Sequence, residues 1–140
     1  MLNKKSLDFA NIELLDSGVF NVKLGERIIL ELENATELID SCNQLVESDH
    51  YYGCILNMSD VAFVTEDARN YLTNSNSHNG NISGLGLVSS NHLGNIICTL
   101  MMSFCGTDSL PMKLFRNRFE AESWITSLVE KPALTLLNPS

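Results

Sequence analysis

A reactive centre in this 140-residue chain would have to come from its histidines, cysteines, serines and closely spaced acids, and their spacing offers no diagnostic constellation. His50, His78 and His92 stand apart from one another, in or beside segments that read as loops, with no H-x-x-x-H pair and no neighbouring carboxylate motif. Each reads as a solvated loop histidine rather than a base or a metal ligand. Cys42, Cys54, Cys98 and Cys105 are 12, 44 and 7 residues apart, without a C-x-x-C and among apolar neighbours. That pattern suits reduced core thiols better than a zinc site, a disulfide or a nucleophile. Gly84-Leu85-Gly86 lacks the third glycine of a dinucleotide loop, since Ser89 stands there, and it falls inside an expected strand, so it reads as a packing feature. Ser89 and Ser90 precede an expected helix, where backbone amides can meet an anion; capping explains them without a ligand. The chain is therefore expected not to be an enzyme and to need neither cofactor nor metal.

Charge narrows the partners. Seventeen acidic residues against nine basic ones leave a formal charge of −8, the wrong sign for a phosphate backbone, and nucleic acid is not expected as a partner. Ten of the carboxylates lie between Glu26 and Asp67 with Arg27 alone to offset them, which fits either a surface for a basic partner or a solvated helix face. A hydrophobic content of 44% with 19% charged residues is that of a globular protein, long enough for one domain with its own core. The start, Met1 to Asp8, has an acid where a signal peptide would be apolar. The longest apolar stretch, Ile96 to Cys105, is far short of the roughly 20 residues that span a bilayer. A cytoplasmic protein without a transmembrane segment is expected.

The elements that position these residues follow from periodicity. Asn11 to Leu15 and Val19 to Leu24 alternate around the turn Asp16-Ser17-Gly18 and predict an antiparallel hairpin. After a short extended piece, Ala35, Leu38, Ile39, Cys42, Leu45 and Val46 recur at helical spacing, with Asn34 and Glu37 as a capping-box variant. Tyr52 to Met58 reads as a central strand buried on both faces, and Thr65 opens a second helix with Glu66 and Asp67 in its first turn and Ala68, Tyr71 and Leu72 inward. Asn74 to Asn81 is small and polar throughout and is expected to be a mobile surface loop. Ile82 to Val88 is strand-like. Ser89, Ser90 or Asn91 then caps a third helix with an unusually wide apolar face, Met112 to Phe115 is a short strand, and Asn117 with Glu120 caps a last helix that Lys131-Pro132 stops. The order β-β-α-β-α-β-α-β-α implies a mixed, mostly parallel sheet of about five strands with about four helices, an α/β fold. Ile96, Leu100, Trp124 and Leu128 are expected in its core.

This order and several strings resemble the STAS superfamily, in particular its SpoIIAA-like group of small bacterial proteins. Leu56-Asn57-Met58-Ser59-Asp60-Val61-Ala62-Phe63-Val64 is similar to the family's strand ending, and Lys113-Leu114-Phe115-Arg116-Asn117 followed by Glu120-Ala121-Glu122-Ser123-Trp124-Ile125 is similar to its short last strand and final helix. The resemblance implies a single-domain SpoIIAA/STAS-like fold over the chain and a regulatory or protein-interaction role centred on the loop and helix start after the central strand. It thus implies partner contact through Asn57, Ser59, Thr65, Glu66, Asp67 and Arg69. Phosphorylated members carry serine or threonine at that helix start. Here Thr65-Glu66-Asp67-Ala68 puts carboxylates beside the one hydroxyl, which places fixed negative charge where a phosphate would bring it transiently.

The chain is accordingly expected to be a non-catalytic interaction module whose partner is a protein, a second copy included. The alternative is a carrier of a lipid or other apolar small molecule, on the strength of the apolar face Leu93, Ile97, Leu100, Met101 and Phe104.

Overall fold

The computed structural model of the protein describes residues 4–46, 51–74, 82–103 and 110–137. The expected hairpin is present as β2 (Ala10–Leu14) and β3 (Val19–Leu24), antiparallel with Ile12 opposite Val22. Its turn needs Gly18, whose φ of 82° is costly for a residue with a Cβ. An unanticipated strand, β1 (Lys4–Ser6), adds antiparallel to β2. Lys-Lys-Ser carries no strand periodicity; the ladder recruits it, and Lys4 pairs with its register partner Glu13 at 3.4 Å.

The remaining strands are β4 (Ile28–Leu30), β5 (Tyr52–Asn57), β6 (Val61–Val64), β7 (Ile82–Val88) and β8 (Met112–Phe115). Among the described residues the main sheet runs β1-β2-β3-β5-β7-β8 and has six strands rather than about five. Its last three pairings are parallel and its first two antiparallel, so it is mostly parallel only on the β3–β8 side. The extended piece at Ile28 and the run at Val61 pair with each other instead, as a separate parallel two-stranded sheet.

Among the described residues four helices complete the fold: α1 (Leu32–Leu45), α2 (Glu66–Thr73), α3 (His92–Ser103) and α4 (Arg118–Leu137). Because β3, β5, β7 and β8 follow one another in one direction across the sheet, right-handed crossovers put α1, α2 and α3 on the same face. Leu38, Ile39 and Cys42 from α1, Ala68 and Leu72 from α2, and Ile97, Cys98 and Met101 from α3 pack there on Phe20, Cys54, Leu56, Leu85 and Leu87. The last helix, α4, leaves the sheet edge at β8 and folds over the other face, where Ala121 and Ile125 meet Val19, Ile55 and Val88. Gly84 and Gly86 allow that approach: a Cβ on Gly84 would come within 2.8 Å of Leu128 Cδ1, and one on Gly86 within 2.9 Å of Ile125 Cδ1. The glycine pair is a packing feature, as expected.

Three helix starts lie where expected. Thr65 Oγ1 accepts from the Ala68 amide (3.3 Å), Asn91 Oδ1 from Gly94 (2.7 Å) and Asn117 Oδ1 from Glu120 (3.0 Å). The first helix begins earlier than expected, at Leu32, because β4 ends at Leu30. Asn34 is then a first-turn residue whose Oδ1 accepts from the Glu31 amide at 2.9 Å. The last helix continues through Lys131-Pro132 to Leu137, since an internal proline forfeits one backbone bond without obliging the chain to turn away.

The expected core is corrected at α3. Ile96 and Leu100 are exposed, at 44% and 45% of their surface, and Trp124 and Leu128 are only half-buried. On α3 the core side is taken by Gly94, Ile97, Cys98 and Met101; Leu93, Ile96 and Leu100 lie about a third of a turn round the helix from it. The expected mobile loop lies outside the described residues beyond Asn74.

Candidate functional site

The parallel strands β5 and β7 end side by side, and the turns that leave them are bonded together. Asn57 Oδ1 accepts from the Ser59 amide at 3.1 Å, closing an Asx turn after β5. Ser59 Oγ accepts from the Ser90 amide at 3.1 Å, and Asn91 Nδ2 donates to the Ser59 carbonyl, so the turn is tied to the start of α3. Ser89, only 2% exposed, donates through Oγ to the Asn91 carbonyl at 3.2 Å. A Cβ on Gly94 would collide with Ser89 Oγ, so glycine lets α3 start this close to the strand ends. These hydroxyls and amides are spent on holding two turns together. Beside them lies an open depression of about 400 Å³ lined by Glu26, Arg27, Ser59, Asp60, Val61, Ala62, Asn91 and Leu93.

The six residues expected to contact a partner divide into two groups. Asn57 and Ser59 belong to this turn. Thr65, Glu66, Asp67 and Arg69 lie beyond β6, whose four residues span about 13 Å. There Thr65 caps α2, Glu66 and Asp67 are exposed in its first turn, and Arg69 Nη2 stands 3.9 Å from Glu66 Oε1.

The apolar face divides as well. Ile97 and Met101 are core residues, Leu93 and Leu100 are exposed, and Phe104 lies outside the described residues. Sequence reading missed the larger feature to which Leu93 and Leu100 belong. Ile29 on β4 and Phe63 on β6 are register partners, exposed at 54% and 53%. Helix α3 packs against β6 and adds Leu93, Ile96 and Leu100. Among the described residues, five of the eight exposed large hydrophobic ones thus sit on three adjoining elements. Their strands, Ile-Ile-Leu and Val-Ala-Phe-Val, contain no Asp, Glu, Lys or Arg, and neither does α3. Only the apolar character of these short runs was visible in sequence, and an unbroken apolar run does not say which residue faces out.

Buried thiols account for three cysteines. Cys42, Cys54 and Cys98 are free and fully buried; Cys105, like His50 and His78, lies outside the described residues. The Cys42 thiol is pushed well up by its hydrogen bond with Cys54 and then by burial, and burial pushes Cys98 up to about 12. Both are held as neutral thiols, the opposite of what a nucleophile needs. Among the described residues no three of His, Cys, Asp and Glu gather as a metal site, and no helix is long and apolar enough to cross a membrane.

The family described as a domain of unknown function (DUF7793) matches residues 13–129. Among solved structures, the chain is similar to an uncharacterized protein from the DUF3478 family with a SpoIIAA-like fold, from Shewanella loihica PV-4. The TM-score is 0.55 at 13% identity over 86% of this chain and 98% of that one. The fold is therefore SpoIIAA-like. No curated protein matches the chain.

Proposed function

The chain belongs to the DUF7793 family, and on that premise and the geometry above we propose that it is a non-catalytic protein-interaction module that docks through the uncharged face of β4, β6 and α3. One observation carries the reading. The cluster of exposed Ile29, Phe63, Leu93, Ile96 and Leu100 is the kind of contiguous apolar surface that soluble proteins cover with a partner. Its first occupant is a second copy of the chain. Two molecules each carrying −8 repel wherever their carboxylates approach, and β4, β6 and α3, which contain no Asp, Glu, Lys or Arg, let them meet with less of that opposition, the charges of Glu26, Arg27 and Asp60 standing at the Leu93 end. The spacing of Leu93, Ile96 and Leu100 makes one stripe along α3, which suits a two-fold contact of helix on helix. The acids of the α2 start, Glu66 and Asp67, belong to the surroundings of this face and favour basic residues on any further, regulatory partner.

The carrier reading has less support. The hollow beside Ile96 and Leu100 is an open one of about 240 Å³, whereas an apolar cargo is held in an enclosed pocket. Light scattering on the purified protein tests the proposal: the expected mass is twice 15.5 kDa, and Ile96→Glu, an exposed position, returns it to 15.5 kDa with unchanged circular dichroism. A wild-type protein that stays monomeric at millimolar concentration refutes the second-copy contact.

A further inference from the structure

The main sheet ends in β1 on one side and β8 on the other, and the two edges use their cations differently. On β1, Lys4 is paired with Glu13 at 3.4 Å and Lys5 donates to Gln44 Oε1 at 2.9 Å. At the other edge Lys113, Arg116 and Arg118, three of the chain's nine basic residues, fall in a stretch that contains no acid. None of the three forms an ion pair among the described residues. Lys113 Nζ and the Arg118 guanidinium rest on rings of their own chain instead, 5.6 Å from the centroid of Phe115 and 4.6 Å from that of Phe119. Arg118 Nε is buried there without a hydrogen-bond partner. Phe119 is 70% exposed, more than any other large hydrophobic residue described. Of the acids that follow, Glu122 is already engaged, accepting from Ser17 Oγ at 2.8 Å.

The backbone of this edge is open as well. The Pro111 and Phe115 carbonyls accept from the Leu85 and Ser89 amides at 2.9 and 3.1 Å, so alternate residues of β8 face β7, and the N–H and C=O groups of Met112 and Leu114 face away from it. No described strand lies beyond them. The side chains alternate too. Phe115 packs against Trp124 on the α4 face with Lys113 over its ring, whereas Met112 and Leu114 lean on the core of the opposite face.

A lysine on an edge strand deters pairing with most other edges, but it does not deter an acidic one. We propose that this edge takes up an extended acidic segment of a partner protein, added to β8 as a further strand. The segment bonds to the outward amides and carbonyls of Met112 and Leu114. Its acids alternate with apolar residues: the acids meet Lys113 and the two arginines, and the apolar side chains extend the cover over Met112 and Leu114. An anionic bilayer fits less well, because a flat surface faces the whole molecule with its charge of −8, whereas a strand on β8 lies within about 8 Å, one Debye length, of the local cations.

The test is titration of the full chain, at about 0.15 M salt, with a short end-blocked peptide of alternating glutamate and valine, read by calorimetry and amide hydrogen exchange. Saturable binding that slows exchange of the Leu114 amide is expected. Arg116→Glu, at an exposed position, weakens it by about tenfold, while Lys23→Glu, the same charge change at an exposed position of β3, leaves it within about twofold. No saturable binding, binding without slower exchange at Leu114, equal losses in the two variants, equal binding of a lysine–valine peptide, or adsorption to phosphatidylserine vesicles in place of the peptide overturns the proposal.

Discussion

Replacing Gly86 by alanine tests how α4 is held against the sheet. Gly86 lies in β7 with Ile55 of β5 on one side and Lys113 of β8 on the other, so the strand cannot move sideways to admit a methyl group. The added Cβ would stand 2.9 Å from Ile125 Cδ1 and 3.1 Å from Ala121 Cβ, both closer than ordinary contact. Ile125 can turn its terminal methyl away at the cost of a poorer rotamer. Ala121 cannot, and α4 must retreat by a few tenths of an ångström. Overpacking of this kind costs about 1–3 kcal/mol, and the loss of glycine's freedom in the unfolded chain returns about 0.4–1 kcal/mol. A net destabilisation of about 1–2 kcal/mol is expected, lowering Tm by roughly 3–8 °C in a chain of this size. Urea melts of Gly86→Ala, Ala121→Gly and the double variant measure the contact directly. The glycine in α4 costs about 1 kcal/mol by itself, but in the double variant it makes room for the new methyl, so the two losses sum to more than the loss observed. If Gly86→Ala is neutral or stabilising, or the two changes are simply additive, the close approach of α4 to β7 is not the reason for glycine here.

Two further outcomes follow from burial. Ile97→Ala, at a core position of α3 that is 5% exposed, is expected to cost about 2–5 kcal/mol, whereas Leu100→Ala, 45% exposed, costs under about 1 kcal/mol in the monomer; equal losses in denaturant melts would refute the division of the helix into a core side and an outer stripe. The raised Cys98 thiol makes stability fall at high pH. The unfolded chain ionises first, so the contribution is intact below pH 9 and is lost as pH rises from 9 towards 12. The slope is at most about 1.4 kcal/mol per pH unit, and Cys98→Ala flattens it in a pH series of melts.

What was legible in the sequence was what local chemistry decides. Thr65 and Asn117 announce their helices because a cap is a contact of neighbours in sequence, and Gly18 announces its turn because φ is a property of one residue. Asn34 misled by the same logic: a capping box reads equally well from either end, and only the pairing of Leu30 with Val64 decides which residue is the cap. β1 and β6 were hidden, and β4 was legible only as a short extended piece, because three or four residues hold too little periodicity and their strand pairing comes from partners distant in the chain. The apolar stripe of α3 was legible as apolar but not as exposed. Helical spacing locates a face, and only the neighbouring strands say how much of it they can cover. The six residues expected at one site separated for a related reason, since β6 intervenes between Ser59 and Thr65 as a strand rather than a loop.

The same geometry explains why the acidic and the apolar surfaces of the helical layer lie apart. Helices α1, α2 and α3 follow one another across a single face of the sheet, with α1 towards β1 and α3 towards β8. The acids of this layer gather on α1 and on the first turn of α2, and α3 has none. Two copies meeting through α3 would therefore turn their acidic surfaces away from each other, to the outer ends of the pair, where charge repulsion is weakest. Since both copies carry a formal charge of −8, added salt should tighten the pairing by screening what repulsion remains between them.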